Sequence, residues 1–329
     1  MKTKLDKYFR ISQRGSTIGT ELIGGATTFA TMAYILAYMT GAMSAVPGID
    51  LTGVLLCTAL ITAISCIAMG LVANAPIALA PVLVIPNLVA GMVASGEATY
   101  GQAFGTVAIS GIVFLLISVF KLRDLFARSL PKNIKIGIGG AVGLLIASIG
   151  LNTSGLAAAG EDGSFINFSD KSVQLGLIGL AIALLLTYLK ITVNGRTYKI
   201  KGALLISIVL TTIIGIPMGV TVLPENIFTR GALASIGNVA FQVDILGALK
   251  LSFVPFIIML LINDFFGTLG TGLAMAGKAG LLDEDGNFPA FGKVFLVDSS
   301  ATILGSLFGI TTVSCFAESA AGVESGSRT

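Results

Sequence analysis

Polar residues along this chain come in short clusters, separated by apolar stretches of about 20 residues, the length that carries an α-helix across the hydrocarbon core of a bilayer. Such stretches lie near 17–43, 51–73, 76–96, 101–120, 134–157, 173–189, 202–220, 246–276, 291–308 and 310–326. They predict ten spans of an all-α, polytopic membrane protein. The clusters between them orient it, because cytoplasmic loops accumulate Lys and Arg. Lys2, Lys4, Lys7, Arg10 and Arg14 precede the first span; Lys121, Arg123, Arg128, Lys132 and Lys135 follow the fourth. Lys190, Arg196, Lys199 and Lys201 follow the sixth, Lys278 and Lys293 the eighth, and Arg328 the tenth. All of these fall on one side when the spans are counted alternately, leaving Lys171, Arg230 and Lys250 on the other. The expected topology is multi-pass in the cytoplasmic membrane with the N-terminus inside.

Composition agrees with this and narrows the chemistry. Of 329 residues, 54% are hydrophobic and 11% charged, against roughly 25% charged in a soluble domain; mean hydropathy is +0.94. A net charge of +3 leaves no basic field for nucleic acid. With no His anywhere, His-based triads and His-ligated zinc are excluded, and proton handling falls to carboxylates. Cys57, Cys66 and Cys315 lie in apolar runs without CxxC spacing, so they read as small apolar packers rather than a disulfide or metal site. The basic N-terminal stretch is followed by an apolar segment too long for a cleaved signal peptide. KLRDLFARSLPKNIK after the fourth span reads as an amphipathic connector on the inner membrane surface. GIGGAVG at 137–143 and GTLGTG at 267–272 read as close helix packing, and LLDEDGN at 281–287 as a solvated turn lacking the calcium-loop pattern. The loops near 158–172 and 221–245 are too short to fold separately, so a single membrane domain is expected.

Three acids fall inside apolar stretches, where a carboxylate at the bilayer centre costs about 2.5–3.5 kcal/mol. Asp264 is the deepest, with Thr268 and Thr271 one and two turns on, which draws a polar stripe down one helix face. That stripe predicts a cavity or a partner helix. Asp298, beside Ser299 and Ser300, reads as a helix-packing acid. Glu318 follows Thr311, Thr312 and Val313, poor helix formers, and precedes ESAAG, which suits a helix. An extended segment meeting a helix N-terminus in mid-membrane is therefore expected, an arrangement tolerated only where it is buried or lines a cavity and often used for substrate. The third span is irregular too, with Pro76, Pro81 and Pro86 five apart. The interrupted third and tenth spans are seven apart, as an inverted repeat of seven requires. An intramembrane aspartyl protease built on Asp264 and Asp298 would need a GxGD string that neither acid has.

TELIGGATTFATMAYIL at 20–36, NAPIALAP at 74–81, AGLLDEDG at 279–286 and TTVSCFAESAAGVESGSRT at 311–329 carry a family resemblance. The chain resembles the nucleobase/ascorbate transporter superfamily, and within it the adenine, guanine and hypoxanthine permeases. The resemblance implies fourteen spans in two inverted sevens, with core and gate domains, a purine held between the interrupted third and tenth spans, and proton symport with no other cofactor. On that basis the core takes in about 15–120 and 246–329 and the gate about 134–220. The chain is expected to be a fragment lacking one core and three gate helices. Glu318 falls on the family's base-binding glutamate and Asp264 on the first acid of its eighth-span pair, so both are expected to handle substrate and proton. Thr268, Asn87, Ser314 and Thr312 are assigned with them to the substrate site. The chain departs from the family in having Gly267 in place of a second eighth-span acid, and Asn87 one position late. Uracil, xanthine or an inorganic anion on the same fold, and a non-transporting relative, stand as alternatives; a homodimer is kept open as the assembly.

Overall fold

A computed structural model describes residues 4–120, 137, 144, 147–148, 150–151, 154–156, 167–193, 196–199, 203–221, 231–284 and 286–329. The stretch expected to span at 134–157, the connector at 121–135 and the string at 137–143 lie wholly or mostly outside them. The principal helices are α1 (Ile18–Met32), α2 (Tyr34–Met43), α3 (Leu51–Ala68), α4 (Val84–Ala94), α5 (Tyr100–Val119), α6 (Lys171–Tyr188), α7 (Ala203–Met218), α8 (Val254–Lys278), α9 (Phe291–Leu307) and α10 (Ser319–Glu324). Among the described residues, five helical runs are long and apolar enough to cross a membrane: Ile18–Met43, Leu51–Ala73, Tyr100–Val119, Lys171–Tyr188 and Leu251–Lys278. α4 and α7 are shorter apolar helices, and many of the large apolar side chains on these helices are exposed, as lipid-facing surfaces require. The protein is a multi-pass membrane protein.

The third and tenth apolar stretches are broken as the sequence predicts. α3 ends in a widened turn, Met69–Ala73, after which the chain runs through Asn74 with a positive φ of 48°. It then becomes extended as β1 (Leu79–Pro81) before α4 begins, with Pro86 in the first turn of that helix, where no intrahelical N–H is needed. The last stretch is extended over β4 (Val313–Cys315) and helical only in α10. β1 and β4 pair antiparallel, Leu79 with Cys315, Ala80 with Ser314 and Pro81 with Val313. A second antiparallel pair, β2 (Lys190–Val193) with β3 (Arg196–Lys199), lies within a stretch that the charge pattern places in a basic loop.

Two compact units divide the chain. One comprises residues 1–31, 140–228 and 320–328. Within it α6 lies against α7, with Gly179 at Thr211, and α1 meets the last segment of the chain through small residues, a Cβ at Gly24 running into Ser327 and one at Gly322 into Thr28. The Arg328 backbone N–H donates to Glu21 at 2.8 Å, and Arg14 donates to the Arg328 carbonyl at 2.7 Å.

The other unit, residues 32–139, 229–319 and 329, contains both strands of the β1–β4 ladder. Its centre is an edge-to-face cluster of rings, Phe114 of α5 with Phe265 of α8 and Phe295 of α9, at centroid separations of 5.3–5.9 Å. α5 and α9 touch where Gly111 leaves no Cβ against Thr302 and Ile303, and Gly272 at the end of the 267–272 string leaves room on α8 for the Phe291 ring of α9. Asn287 N–H donates back to Asp283 Oδ1 at 2.7 Å.

In an antiparallel ladder, alternate residues turn their N–H and C=O away from the partner strand. Val82 donates to Thr312 and Phe316 to Ala78, so Leu79 and Val313 are residues whose backbone groups face outward and need other partners. Each is met by one side chain. Cys66 Sγ of α3 accepts from Leu79 N–H at 3.3 Å and donates to its carbonyl at 3.4 Å. Thr302 Oγ1 of α9 accepts from Val313 N–H at 3.2 Å and lies 2.9 Å from its carbonyl. Cys66 is therefore a polar clip and not only a packer. Replacing Cys66 with Ala strands two buried backbone groups, and the expected loss is about 1–3 kcal/mol, read as a lower melting temperature of the detergent-solubilised protein. Cys57→Ala, which removes a buried thiol remote from the ladder, serves as the comparison.

Candidate functional site

Two extended segments crossing between broken helices leave polar backbone and side chains deep in an apolar protein. The most buried of these side chains are the acids of α8 and α9. Asp264 and Asp298 are 2% and 0% exposed, and each is followed four residues later by a threonine on the same helix face. The threonines cross over: Thr268 donates to Asp298 Oδ2 at 2.6 Å, and Thr302 lies 2.9 Å from Asp264 Oδ2. Thr268 also shares a 2.8 Å hydrogen bond with Ser314 of β4. The two carboxyls are within hydrogen-bonding reach of one another, and the Cys315 thiol lies against Asp298. Asp264 Oδ1 and Asp298 Oδ1 are buried without a hydrogen-bond partner.

The sequence-derived candidates Asp264, Thr268 and Ser314 therefore come together, directly behind β4. Thr312 is buried at the start of that strand; its carbonyl serves the ladder and its hydroxyl is without a partner. Asp298, read from sequence as a helix-packing acid, does tie α9 to α8 and in doing so meets Asp264.

Beyond the strand the chain turns, and Glu318 stands half-buried at the N-terminal edge of α10. Tyr34 of α2 donates to its Oε1 at 2.6 Å. One turn on, Tyr38 receives a hydrogen bond from Asn87 Nδ2 of α4 at 2.7 Å. The i, i+4 spacing of the two tyrosines thus places the two candidates, Glu318 and Asn87, along one face of α2. Phe316, buried between Met32, Ile35, Ala78 and Ala80, sits beside the Tyr34 ring. Ser319 accepts from Ala78 N–H at 2.8 Å and donates to Phe316 O at 2.6 Å, pinning the turn that carries Glu318 to the segment before β1.

This constellation can accept donors from a planar heterocycle at Glu318, offer aromatic faces at Tyr34 and Tyr38, and hold protons at the buried acids. Tyr34, Tyr38 and Thr302 were not singled out from sequence. The signal for Thr302 was present, since Asp-x-x-x-Thr occurs at 264–268 and again at 298–302. Among the described residues no group of His, Cys, Asp and Glu is arranged to hold a metal ion. A groove of about 640 Å³ lined by Leu88, Met92, Phe253 and Phe256 lies elsewhere and includes none of the site residues.

The model of the Xan_ur_permease family, described as a permease family, matches residues 19–329. The adenine permease AdeP of Escherichia coli is 32% identical over 331 residues, covering 99% of this chain and 71% of AdeP. The guanine/hypoxanthine permease PbuG of Bacillus subtilis is 30% identical over 334 residues, covering 98% of this chain and 73% of PbuG. Among solved structures, that of SLC26A9 superposes with a TM-score of 0.55 at 15% identity over 98% of this chain, which spans 52% of that one. That likeness concerns the fold alone.

Proposed function

Because the chain belongs to the xanthine/uracil permease family, whose members are transporters rather than enzymes, we propose that it is a proton-coupled symporter of purine nucleobases in the cytoplasmic membrane, with its N-terminus inside. The observation that carries this reading is the placement of Glu318: a half-buried carboxylate held by Tyr34, a few residues beyond a strand whose other side rests on two buried acids. Glu318 accepts from the N–H edge of the base, Tyr34 and Tyr38 offer it aromatic faces, and Asp264 takes up and releases the coupling proton. AdeP and PbuG, named for adenine and for guanine and hypoxanthine, support a purine over other ligands. In this reading the third and tenth spans are counterparts in two inverted sevens, with the core at about 15–120 and 246–329 and the gate at about 134–220. The matching clips at Leu79 and Val313 support that correspondence.

The test is uptake of radiolabelled adenine, guanine and hypoxanthine by a purine-uptake-deficient strain expressing the protein, with and without an inward proton gradient. Uracil, xanthine and inorganic anions serve as competitors. Purine accumulation that collapses with a protonophore is the expected result; competition by uracil or an anion alone would reassign the substrate.

A further inference from the structure

The two orphaned acceptors among the deepest acids belong to the same pair. Asp264 Oδ1 and Asp298 Oδ1 have no partner, while both Oδ2 atoms face threonine hydroxyls. Two ionised carboxylates in contact, out of water, repel each other and leave these oxygens unsatisfied. One proton between them removes the repulsion and satisfies both. The titratable groups on the elements packed against the pair are Cys57 and Cys66 on α3, Tyr100 at the start of α5 and Cys315 on β4, with Lys278 and Lys293 toward the ends of α8 and α9. The neighbours of the carboxyls are hydroxyls, the Cys315 thiol and each other.

Thr302 connects this pair to the substrate strand. Its oxygen lies 2.9 Å from both Asp264 Oδ2 and the Val313 carbonyl, and it has one hydrogen to give. Resting on the function proposed above, we propose that Asp264 and Asp298 hold the coupling proton jointly. Thr302 conveys its arrival to β4 by turning its hydroxyl hydrogen from Asp264 to the Val313 carbonyl. With the pair fully ionised, the carboxylate holds that hydrogen, because bonds to charged acceptors are the stronger ones. When a proton enters between the carboxyls the pull weakens. The hydrogen then passes to Val313, whose N–H the same oxygen already accepts, and Val313 is held on both its N–H and its carbonyl. The strand leading to Glu318 is thereby held for substrate. By linkage, the proton tightens substrate binding and substrate tightens proton binding. Thr302 is a positioning residue; it touches neither the base nor the shared proton.

The experiment uses the full chain in liposomes and has two readouts. Infrared difference spectra at neutral pH should contain a protonated-carboxyl band that is lost when both Asp264 and Asp298 become Asn, and lost or displaced in D298N and in D264N separately. An unshifted band in D298N would put the proton on Asp264 alone, and no band in the wild type would remove it altogether; either result overturns the joint site. T302V should displace the band and T302S restore it, while a band indifferent to T302V overturns the role of Thr302. In parallel, the affinity for radiolabelled adenine, guanine and hypoxanthine should rise as pH falls. T302V should flatten that dependence and weaken binding at low pH by up to about tenfold, the upper end of the loss expected of one hydrogen bond between neutral groups, here that to the Val313 carbonyl, and T302S should recover it. Wild-type protein that shows the carboxyl band yet binds none of these purines would reject the assigned substrate and leave the acid pair standing.

Discussion

Purine binding falls by about tenfold to a hundredfold when Glu318 is replaced by glutamine, the 1.5–3 kcal/mol of a hydrogen bond to a charged group. The substitution keeps the size of the side chain and one carbonyl oxygen, so Tyr34 retains an acceptor in place of the 2.6 Å bond it now makes to Oε1. What is lost is the negative charge toward a base N–H, together with one of the two acceptor oxygens. The Ser319 bonds that pin the turn to Ala78 and Phe316 do not involve the Glu318 side chain, so the variant keeps them. Equilibrium binding of radiolabelled adenine, guanine and hypoxanthine, with thermal stability measured alongside, separates these effects. Unchanged affinity in a protein of unchanged stability would remove Glu318 from the base site. Tyr34→Phe is expected to fall between wild type and E318Q, because it leaves the charge and removes one hydrogen bond that orients it.

Replacing Gly309 with alanine costs about 2–5 kcal/mol, enough to deplete the folded protein. Gly309 makes the turn from α9 into β4 with φ at 68°, a conformation that costs an L-residue roughly 1–2 kcal/mol. A Cβ there would also run into the Tyr100 hydroxyl and Val239, and such overpacking adds about 1–3 kcal/mol. Val239 yields least, being fully buried, and the Gly309 turn is held by backbone bonds from Gly309 to Ser306 and from Ile310 to Gly305. Thermal unfolding in detergent is the measurement. Gly267→Ala on α8 is the control, since a Cβ there meets only Ser314 Oγ at an ordinary 3.8 Å. A Gly309→Ala protein as stable as that control would mean the turn has another conformation open to it.

The broken helices could be read from sequence because their causes are local. Prolines remove donors at 76, 81 and 86, and Thr311, Thr312 and Val313 resist a helix before ESAAG favours one. The polar stripe of α8 was legible for the same reason, being a periodicity. What spacing could not supply is which helix faces which. Asp298 has its threonine four residues on just as Asp264 does, yet the crossing of the two pairs depends on α8 and α9 being packed side by side, and one chain's pattern carries no such information. Cys66 likewise sits in an apolar run indistinguishable from packing until Leu79 is brought to it. Tyr34 and Tyr38 give no signal in the sequence, because an aromatic residue in an apolar helix is ordinarily buried for its ring. The β2–β3 pair is hidden by its charges, since KITV and RTYK are too short and too basic to stand out from a cytoplasmic loop.

The β1–β4 ladder also dictates when the site can exist. Ala78 and Ser319, which close it, are 241 residues apart in sequence, and helices enter a membrane in the order in which they are made. Every earlier span must sit in lipid while Ala78, Ala80 and Val82, the residues that face β4 across the ladder, still lack a partner strand, and their backbone groups stay unmet in a medium that penalises them. The Cys66 clip at Leu79 reaches only thirteen residues along the chain and is available from the outset. It holds Leu79 from the start, whereas the residues that face β4 wait for it, making the candidate site the last part of this unit to assemble.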